Sequence, residues 1–568
     1  MAALVCTVKH MPSSSSSCTF LPTKPSCPIS FPRKNLTFRA EASKDDLAGV
    51  SAASRRNLLI GLGGLYGTAA GLAMGGRSNI ALGAPVQPPD YSQCGPADLP
   101  SGAAPVNCCP PVSSVTDFQL PPVTLPLRVR PAAHLVDDAY LKKYKKAVEL
   151  MRNLPADDPR NFMQQANVHC AYCDGAYDQV GFPGVELQIH SSWLFFPWHR
   201  FYLYFYERIL GKLIGDDTFA LPFWNWDAPD GMKLPVIYND ASSSLFNPNR
   251  DQSHLPPTII DLDFSVTPTT DSGQKLINDN LRIMYRQVIS NGATAEQFMG
   301  EALRAGDPPN PGAGSLENVP HDTVHIWTGD PRQPNREDMG VFYSAGRDPI
   351  FFAHHSNIDR LWNVWKTLGG KRVDFTDTDW LDAGFLFYDE NAKPVRVRVR
   401  DCVNTELLGY KYQDVPNPWK NAKPIRAGTG RSVKPKSEPT FPLTLTTPNV
   451  NATVNRPARV GRKGGEEEVI RVEGIEFDKS VFTKFDVYVN ASSETVLRPA
   501  VAECAGSFVH VPHLHGGKGS ATIKTSILLG ITELLGDIGA TGDDSVVLTL
   551  VPRAGTVKIA GISIQLIP

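Results

Sequence analysis

Several patterns are scarce in this chain of 568 residues, and each scarcity removes a class of function. Charge of one sign is missing in excess: the net charge is -2 with 20% charged residues. Neither a basic face nor an acidic tail stands out, which argues against a nucleic-acid partner. Acidic residues are missing from the N-terminus, where Glu41 is the first. A long unbroken apolar run is missing too. The most apolar stretch, LLIGLGGLYGTAAGLAMGG, is short, laden with glycine and soon followed by APVQPPDYSQC, which disfavours a membrane-spanning helix. No segment repeats at a fixed period, so a solenoid is excluded. HExxH, the helix signature of zinc hydrolases, is absent as well.

What is present begins with two address signals. Residues 1 to about 50 are rich in Ser, Pro and Thr, with Lys and Arg but almost no acid, as in an organelle transit peptide. Arg55-Arg56 then precede the apolar run, and small residues follow at Ala81, Gly83 and Ala84. That order reads as a twin-arginine export signal with cleavage near Ala84. Together the signals, residues 1–83, predict a chloroplast protein delivered to the thylakoid lumen. Of ten cysteines, Cys94, Cys108, Cys109 and Cys170 crowd together with Cys173 close behind. Such clustering points to disulfides in an oxidising compartment, with zinc binding as the competing reading.

The mature chain is long enough for more than one domain and a large core. It opens with a proline-heavy irregular segment, and helical periodicity starts at Asp137–Met151. Further helical patterns cover Asn161–Ala166, His199–Leu213 and Asp279–Ile289, and helices dominate up to Trp365. Short strands are expected within 380–420, among them VRVRV and GYKY. From 423 to 468 the composition shifts to Lys, Arg, Pro, Thr and Gly, which reads as an exposed, protease-sensitive linker. Beyond it the period becomes two, in VIRVEGIEF, FTKFDVYVN, SILLGITELL, SVVLTLVPR and KIAGISIQLIP. The fold class predicted is therefore a mainly α catalytic domain, a helix bundle over 84–422, followed by a C-terminal β-sandwich over 469–568.

Histidines supply the chemistry. His321 and His325 are four apart, which stacks both rings on one helix face. Asp348-Pro349 reads as the start of a helix carrying His354 and His355. Neighbours on a helix diverge by about 100°, so one of that pair is expected to join the first two. Upstream, His169 opens HCAYC, and His190 and His199 frame SSWLFFPW. Pro197 is expected to break that segment, letting His190 end one element and His199 open the next. Six imidazoles with no carboxylate or thiolate among them suit copper better than magnesium or calcium, while zinc would accept them too.

The motifs HCAYC, FPWHRFYLYFYE, PFWNWD, HDTVHIWTGD and DPIFFAHHSNIDRLW resemble those of plant polyphenol oxidases, the type-3 copper catechol oxidases and tyrosinases. DWL at Asp379–Leu381, GYKY at Gly409–Tyr412 and KFDV at Lys484–Val487 extend the resemblance over essentially the whole chain. The resemblance implies two copper ions per chain, one held by His169, His190 and His199, the other by His321, His325 and His355, with His354 as a non-ligand neighbour. It implies a thioether from Cys173 to His190 and disulfides Cys94–Cys109 and Cys108–Cys170. Phe342 matches the phenylalanine over the substrate entrance, and Glu317 the glutamate that positions a water. Cys402 and Cys504 have no assigned partner and are expected to be buried free thiols.

The activity implied is oxidation of o-diphenols to o-quinones while dioxygen is reduced to water, with small phenols and dioxygen as partners. Strongly hydroxylating members often carry Asn where this chain has Asp322, so hydroxylation of monophenols is expected to be weak. Asp322 is expected to hold a water, to accept a proton, or to turn its charge towards His325. Phe195, Phe196, Trp198 and Trp224 are candidates for a dry wall around the coppers. The sandwich is expected to cover the site of a latent proenzyme, approaching it with Glu503–Phe508. A dioxygen-binding protein without turnover, which uses the same six histidines, is the alternative.

Overall fold

The computed structural model describes residues 83–122, 126–266, 271–427, 435, 437–458, 465–492, 497–513 and 521–568. Both N-terminal signals lie outside the described residues. Helix α1, Asp138–Arg152, starts where the Asp137 carboxylate accepts the Tyr140 amide, and it buries Tyr144, Ala147, Val148 and Met151 at three- and four-residue spacing. Helix α2, Phe162–Cys173, is capped by Asn161 and runs further than its periodicity predicts, because Gln165 to Cys173 are all buried. A helix apolar on every side loses the amphipathic stripe that marks its length.

Helix α3, Phe195–Ile214, contains Pro197 in its first turn. The expected break therefore falls elsewhere: the first turn needs no amide from residue 197, so proline is tolerated there. The irregular stretch instead spans His190 to Leu194, with Ser191 at φ 52°. Helix α4, Gly273–Tyr285, continues into a wider turn, Arg286–Ser290. Helix α5, Thr323–Thr328, follows an irregular helical turn at Glu317–Asp322 in which Val319 is extended before Pro320. Helix α6, Ile350–Lys366, is buried from Ile350 to Trp362. The cap position falls on Pro349, not on the expected Asp348; Asp348 lies one residue outside it, accepts the Ile350 amide at 2.9 Å and pairs with the buried Arg250.

A buried ionic net fixes α3 against α6. Arg200 on α3 meets Asp359 on α6 at 2.5 Å, and Asp359 also takes Arg130 at 3.2 Å and the Tyr410 hydroxyl at 2.7 Å. Glu207 on α3 answers Arg128 and Arg130 at 2.9 and 2.8 Å. Every charge has a partner, which burial of this kind requires. Two disulfides, Cys94–Cys109 and Cys108–Cys170, fasten the irregular N-terminal segment to α2. Cys402 and Cys504 are buried free thiols.

Among the described residues the C-terminal part forms a sandwich of nine strands: β1 Leu443–Leu445, β2 Val450–Asn455, β3 Glu467–Asp478, β4 Thr483–Val489, β5 Cys504–His510, β6 Thr522–Gly530, β7 Ser545–Ala554, β8 Val557–Ile559 and β9 Gly561–Ile567. One sheet has the order β6-β3-β8-β1 with β9 also on β3, and the other β5-β4-β7-β2. Ile470, Val472, Phe485, Val487, Leu548 and Leu550 fill the space between them. Strands β1 and β2 come from the stretch read as linker, where prolines and threonines hide short pairing segments. The TELL of SILLGITELL, read as strand, forms helix α7, Thr532–Asp537. Its period-two signal ends at Gly530. Among the described residues no helix is long and apolar enough to cross a membrane.

Candidate metal centre

Four helices and two connecting segments bring the histidines together: α2 carries His169, the loop before α3 His190, α3 His199, the turn before α5 His321, α5 His325, and α6 His354 and His355. Ligand atoms of His321, His325, His354 and His355 all lie within 4.8 Å of one another, as do those of His169, Cys173 and His190. His199 links the two groups, its ring 5.2 Å from His190 and stacked at 4.1 Å on His355. All these side chains are buried.

Hydrogen bonds settle which ring nitrogen is free. Nδ1 of His169, His199 and His325 donates to the carbonyls of Phe342, Phe195 and Met339 at 2.9, 2.8 and 2.8 Å. His321 Nδ1 donates to the Asp322 carboxylate at 2.8 Å. His190 Nδ1 faces Gln188 Oε1 at 3.3 Å, and the same oxygen accepts the amides of Ile189 and His190. Nε2 of His169, His190, His199, His321 and His354, and Nδ1 of His355, are buried with no protein partner. A buried lone pair without a donor is costly unless something electron-poor occupies the space. Burial pushes His169 and His321 down to about 3 and the other rings well below their ordinary value, so all are neutral. Neutral imidazoles converging through Nε2 are the donor set that copper accepts. His325 Nε2 and His355 Nε2 stand 3.2 Å apart. At a metal–nitrogen length of ~2.0 Å that edge subtends about 105°, an angle one metal can accept.

Around the rings, Phe195 packs on His199 at 4.6 Å and on His321 at 4.7 Å. Trp198 lies against His199 at 4.8 Å. Phe196 and Trp224 do not line the site: Phe196 packs on Phe298 and Trp362, and Trp224 bonds to the Gly231 and Lys233 carbonyls. Phe351, unnoticed in the sequence, fills the gap instead, at 4.2 Å from His355 and 5.1 Å from His169. Gln188 also carries no sequence signal, yet it holds His190 on its irregular backbone and donates to the Cys173 carbonyl at 3.0 Å.

The two carboxyls differ in their engagement. Glu317 Oε1 accepts the Ser191 amide at 2.6 Å, while its Oε2 has no partner. Burial, helped by the Asp322 charge, raises Glu317 well above the ordinary carboxyl range. Asp322 is likewise raised by burial, and it is bound to the ring of His321, not turned towards His325. A side chain one residue after His321 reaches that ring's Nδ1 directly, whereas His325 spends its own Nδ1 on Met339.

Phe342 stacks flat on His190 at 4.2 Å and in turn stacks with His513 of the sandwich at 5.1 Å. The sandwich reaches the histidines with Phe508 to His513, further along than the expected Glu503–Phe508. Gly506 serves the approach: at φ 147° a Cβ there would meet the Asn291 amide nitrogen at 2.9 Å. Asn291 donates to the Ala505 carbonyl at 2.8 Å, and Val509 donates to Asn318 at 3.2 Å. A cavity of about 10 Å³ remains between His190, Glu317, Phe342 and His513, room for about one water.

Comparison with known proteins matches residues 159–368 to the common central domain of tyrosinase. Residues 374–425 match the polyphenol oxidase middle domain, and 441–566 the chloroplastic polyphenol oxidase C-terminal domain. A chloroplastic polyphenol oxidase of Malus domestica is 55% identical over 559 residues, 94% of this chain and 93% of that protein. Aureusidin synthase of Antirrhinum majus is 51% identical over 85% of this chain and 89% of its own length. The solved structure of latent apple tyrosinase superposes with a TM-score of 0.77 at 56% identity, covering 80% of this chain and 100% of that one.

Proposed function

The chain belongs to the chloroplastic polyphenol oxidases of plants, and from that premise we propose that it oxidises o-diphenols to o-quinones and is made in a latent form. It is a copper enzyme acting on phenols, with two copper ions per chain as its cofactor. Bound copper would supply dioxygen binding and two-electron redox chemistry, by which two catechols become two quinones as one dioxygen becomes two waters.

The residues around the pair do the rest. His169, His190 and His199 hold one ion through Nε2, and His321, His325 and His355 hold the other. Cys173, a buried free thiol whose sulfur lies within 4.8 Å of a ring nitrogen of His169 and of His190, is placed to form a thioether to the His190 ring, dioxygen being the oxidant that takes up the two electrons and two protons lost. That bond and Gln188 fix a ring whose backbone has no helix to hold it. Phe342 offers its face over His190 to an incoming phenol. Phe195, Trp198 and Phe351 keep water from the rings.

The observation that carries the diphenol reading is the Asp322–His321 bond. Hydroxylating a monophenol requires a base to remove its proton near the coppers. Asp322 is committed to a ring N–H, and Glu317 spends Oε1 on the Ser191 amide while burial and the Asp322 charge hold its carboxyl above the ordinary range. A catechol is the easier substrate, because it is oxidised without insertion of oxygen. The sandwich blocks access until the chain is cut between about Arg431 and Glu468. The two N-terminal signals direct the protein to the chloroplast and onward to the thylakoid lumen.

Oxygen uptake on catechol and on tyramine, before and after cleavage, tests the reading. Fast catechol turnover after cleavage with slow tyramine turnover supports it. Equal rates on the two phenols, or reversible oxygen binding without quinone, would overturn it.

A further inference from the structure

Four buried rings crowd the second metal position, and proximity does not choose three of them. His321, His325, His354 and His355 all present a ring atom within 4.8 Å of the others. His354 stacks on His321 at 5.3 Å and lies 5.0 Å from His325. A fourth imidazole at this distance is a competitor for the metal. Something must keep it from binding.

We propose that Trp226 is a positioning residue of this centre, which fixes the tautomer of His354 so that His354 stands beside the metal with an N–H and no lone pair. The indole Nε1 of Trp226 lies 3.1 Å from His354 Nδ1, and both side chains are buried. An indole nitrogen only donates. His354 Nδ1 is therefore the acceptor, and in a neutral imidazole the one proton then sits on Nε2. His169, His199, His321 and His325 are set the opposite way, with Nδ1 donating to oxygen and the lone pair left on Nε2; His354 Nε2 is also buried without a protein partner, but what it carries there is a proton. The same imidazole is made a ligand or a bystander by the partner of its far nitrogen.

The indole is held in place for this task. On one side of it the Trp224 amide donates to the Ala353 carbonyl of α6 at 2.9 Å, the residue before His354. On the other side Asp227 takes Arg360 at 2.6 Å and Asn357 at 2.9 Å, both also on α6. Residues 224–227 are thus clamped along the helix that carries His354, and the ring cannot drift from Nδ1. Losing the donor frees His354 to carry its proton on Nδ1 and to offer Nε2 to the metal in competition with His355.

The inference rests on the proposed ligand set, and its test separates the two. Copper-loaded full-length chains of wild type, Trp226→Phe, His354→Asn, Trp226→Phe/His354→Asn and His355→Ala are compared by bound copper per chain and by electron paramagnetic resonance. A bridged dicupric pair is silent in that measurement, whereas a displaced cupric ion is visible. Trp226→Phe is expected to raise the visible fraction several-fold, and the double variant to return it to the wild-type level, since the competing ring is gone. His354→Asn alone keeps two coppers and stays silent, its amide oxygen still accepting from the indole. A silent Trp226→Phe chain overturns the inference, as does a double variant no quieter than Trp226→Phe, which would make the indole a packing element. Should Trp226→Phe not fold, loss of a copper in His354→Asn overturns it independently. Retention of both coppers by His355→Ala would instead defeat the ligand set on which the inference rests.

Discussion

Lys484 should open the covered site without any cut in the chain when it is replaced by Met. It sits in strand β4 with its side chain 0% exposed, and its Nζ lies 2.6 Å from Asp263, whose side chain is 14% exposed. The same Nζ donates to the Asp263 carbonyl. Asp263 is carried on the catalytic side, one residue past Leu262, whose carbonyl accepts the Thr323 hydroxyl of α5 at 2.7 Å. Lys484 is the register partner of Val509 on β5, and Val509 lines the closed pocket. Removing one member of a buried pair costs about 3–5 kcal/mol. The exposed edge of Asp263 favours the lower end, so about 3 kcal/mol of closure is lost, roughly a hundredfold in the ratio of open to closed chains. Burial holds Asp263 up to about 7, with Lys484 pulling it down and Asp486 and Asp261 pushing it up. Without Lys484 the closed state must keep this carboxyl protonated, whereas the open state lets it ionise at its ordinary value. Relative to wild type, whose closed state gives up this proton only as pH rises through about 7, the loss of closure grows above that pH by about 1.4 kcal/mol per unit until the pair-breaking limit is reached. Oxygen uptake on catechol by uncleaved chains should rise markedly in Lys484→Met, more at pH 8 than at pH 6, with cleaved chains unaffected. An uncleaved Lys484→Met chain that folds normally and turns over no faster than wild type would refute the reasoning.

Three further outcomes are expected. His325→Ala should lower bound copper from two ions to one and abolish nearly all oxygen uptake, measured by metal analysis and an oxygen electrode; undiminished turnover would contradict the ligand assignment. Asp322→Asn exchanges a charge-assisted bond to His321 for a neutral one, a loss of about 1 kcal/mol, and should raise the tyramine-to-dopamine rate ratio of the cleaved enzyme. Replacing Cys108 and Cys170 together by Ser opens a loop of 62 residues, for which chain entropy gives about 4 kcal/mol. The melting temperature should fall clearly, and an unchanged melt would show that α2 needs no fastening.

The histidines were legible because five of the six rings sit in four motifs, with His190 just ahead of one of them, and the sandwich because alternation survives in β3, β4 and β7. What stayed hidden depends on contacts between distant segments. Pro197 reads as a breaker in one dimension, yet the first turn of α3 asks nothing of its nitrogen. Strands β1 and β2 pair through backbone atoms, so a proline- and threonine-rich composition masks them. Asp322 turns back to the ring beside it, a choice that becomes visible only once His325 is seen bonded to Met339. Gln188, Phe351 and His513 carry no spacing signal at all; they matter through what the fold sets beside them.

Closure and substrate binding compete for one volume, and that determines how latency must appear in kinetics. The space between His190, Phe342 and His513 is about 10 Å³, so no phenol ring enters while Phe508 to His513 are seated. His513 stacks with the same Phe342 ring that lies on His190, so the covering domain occupies the aromatic face a phenol would use. Substrate therefore binds only the open fraction, and its apparent affinity is weakened by that fraction. Once bound, it holds the sandwich off, and the chemistry that follows is that of the cleaved enzyme. Latency should consequently raise the apparent KM and leave kcat nearly intact, provided opening is fast beside turnover. Lys484→Met should lower the apparent KM of the uncleaved chain towards the cleaved value while kcat stays constant. A latent form with unchanged KM and depressed kcat would mean instead that the sandwich distorts the histidine cluster, a different device from a cover.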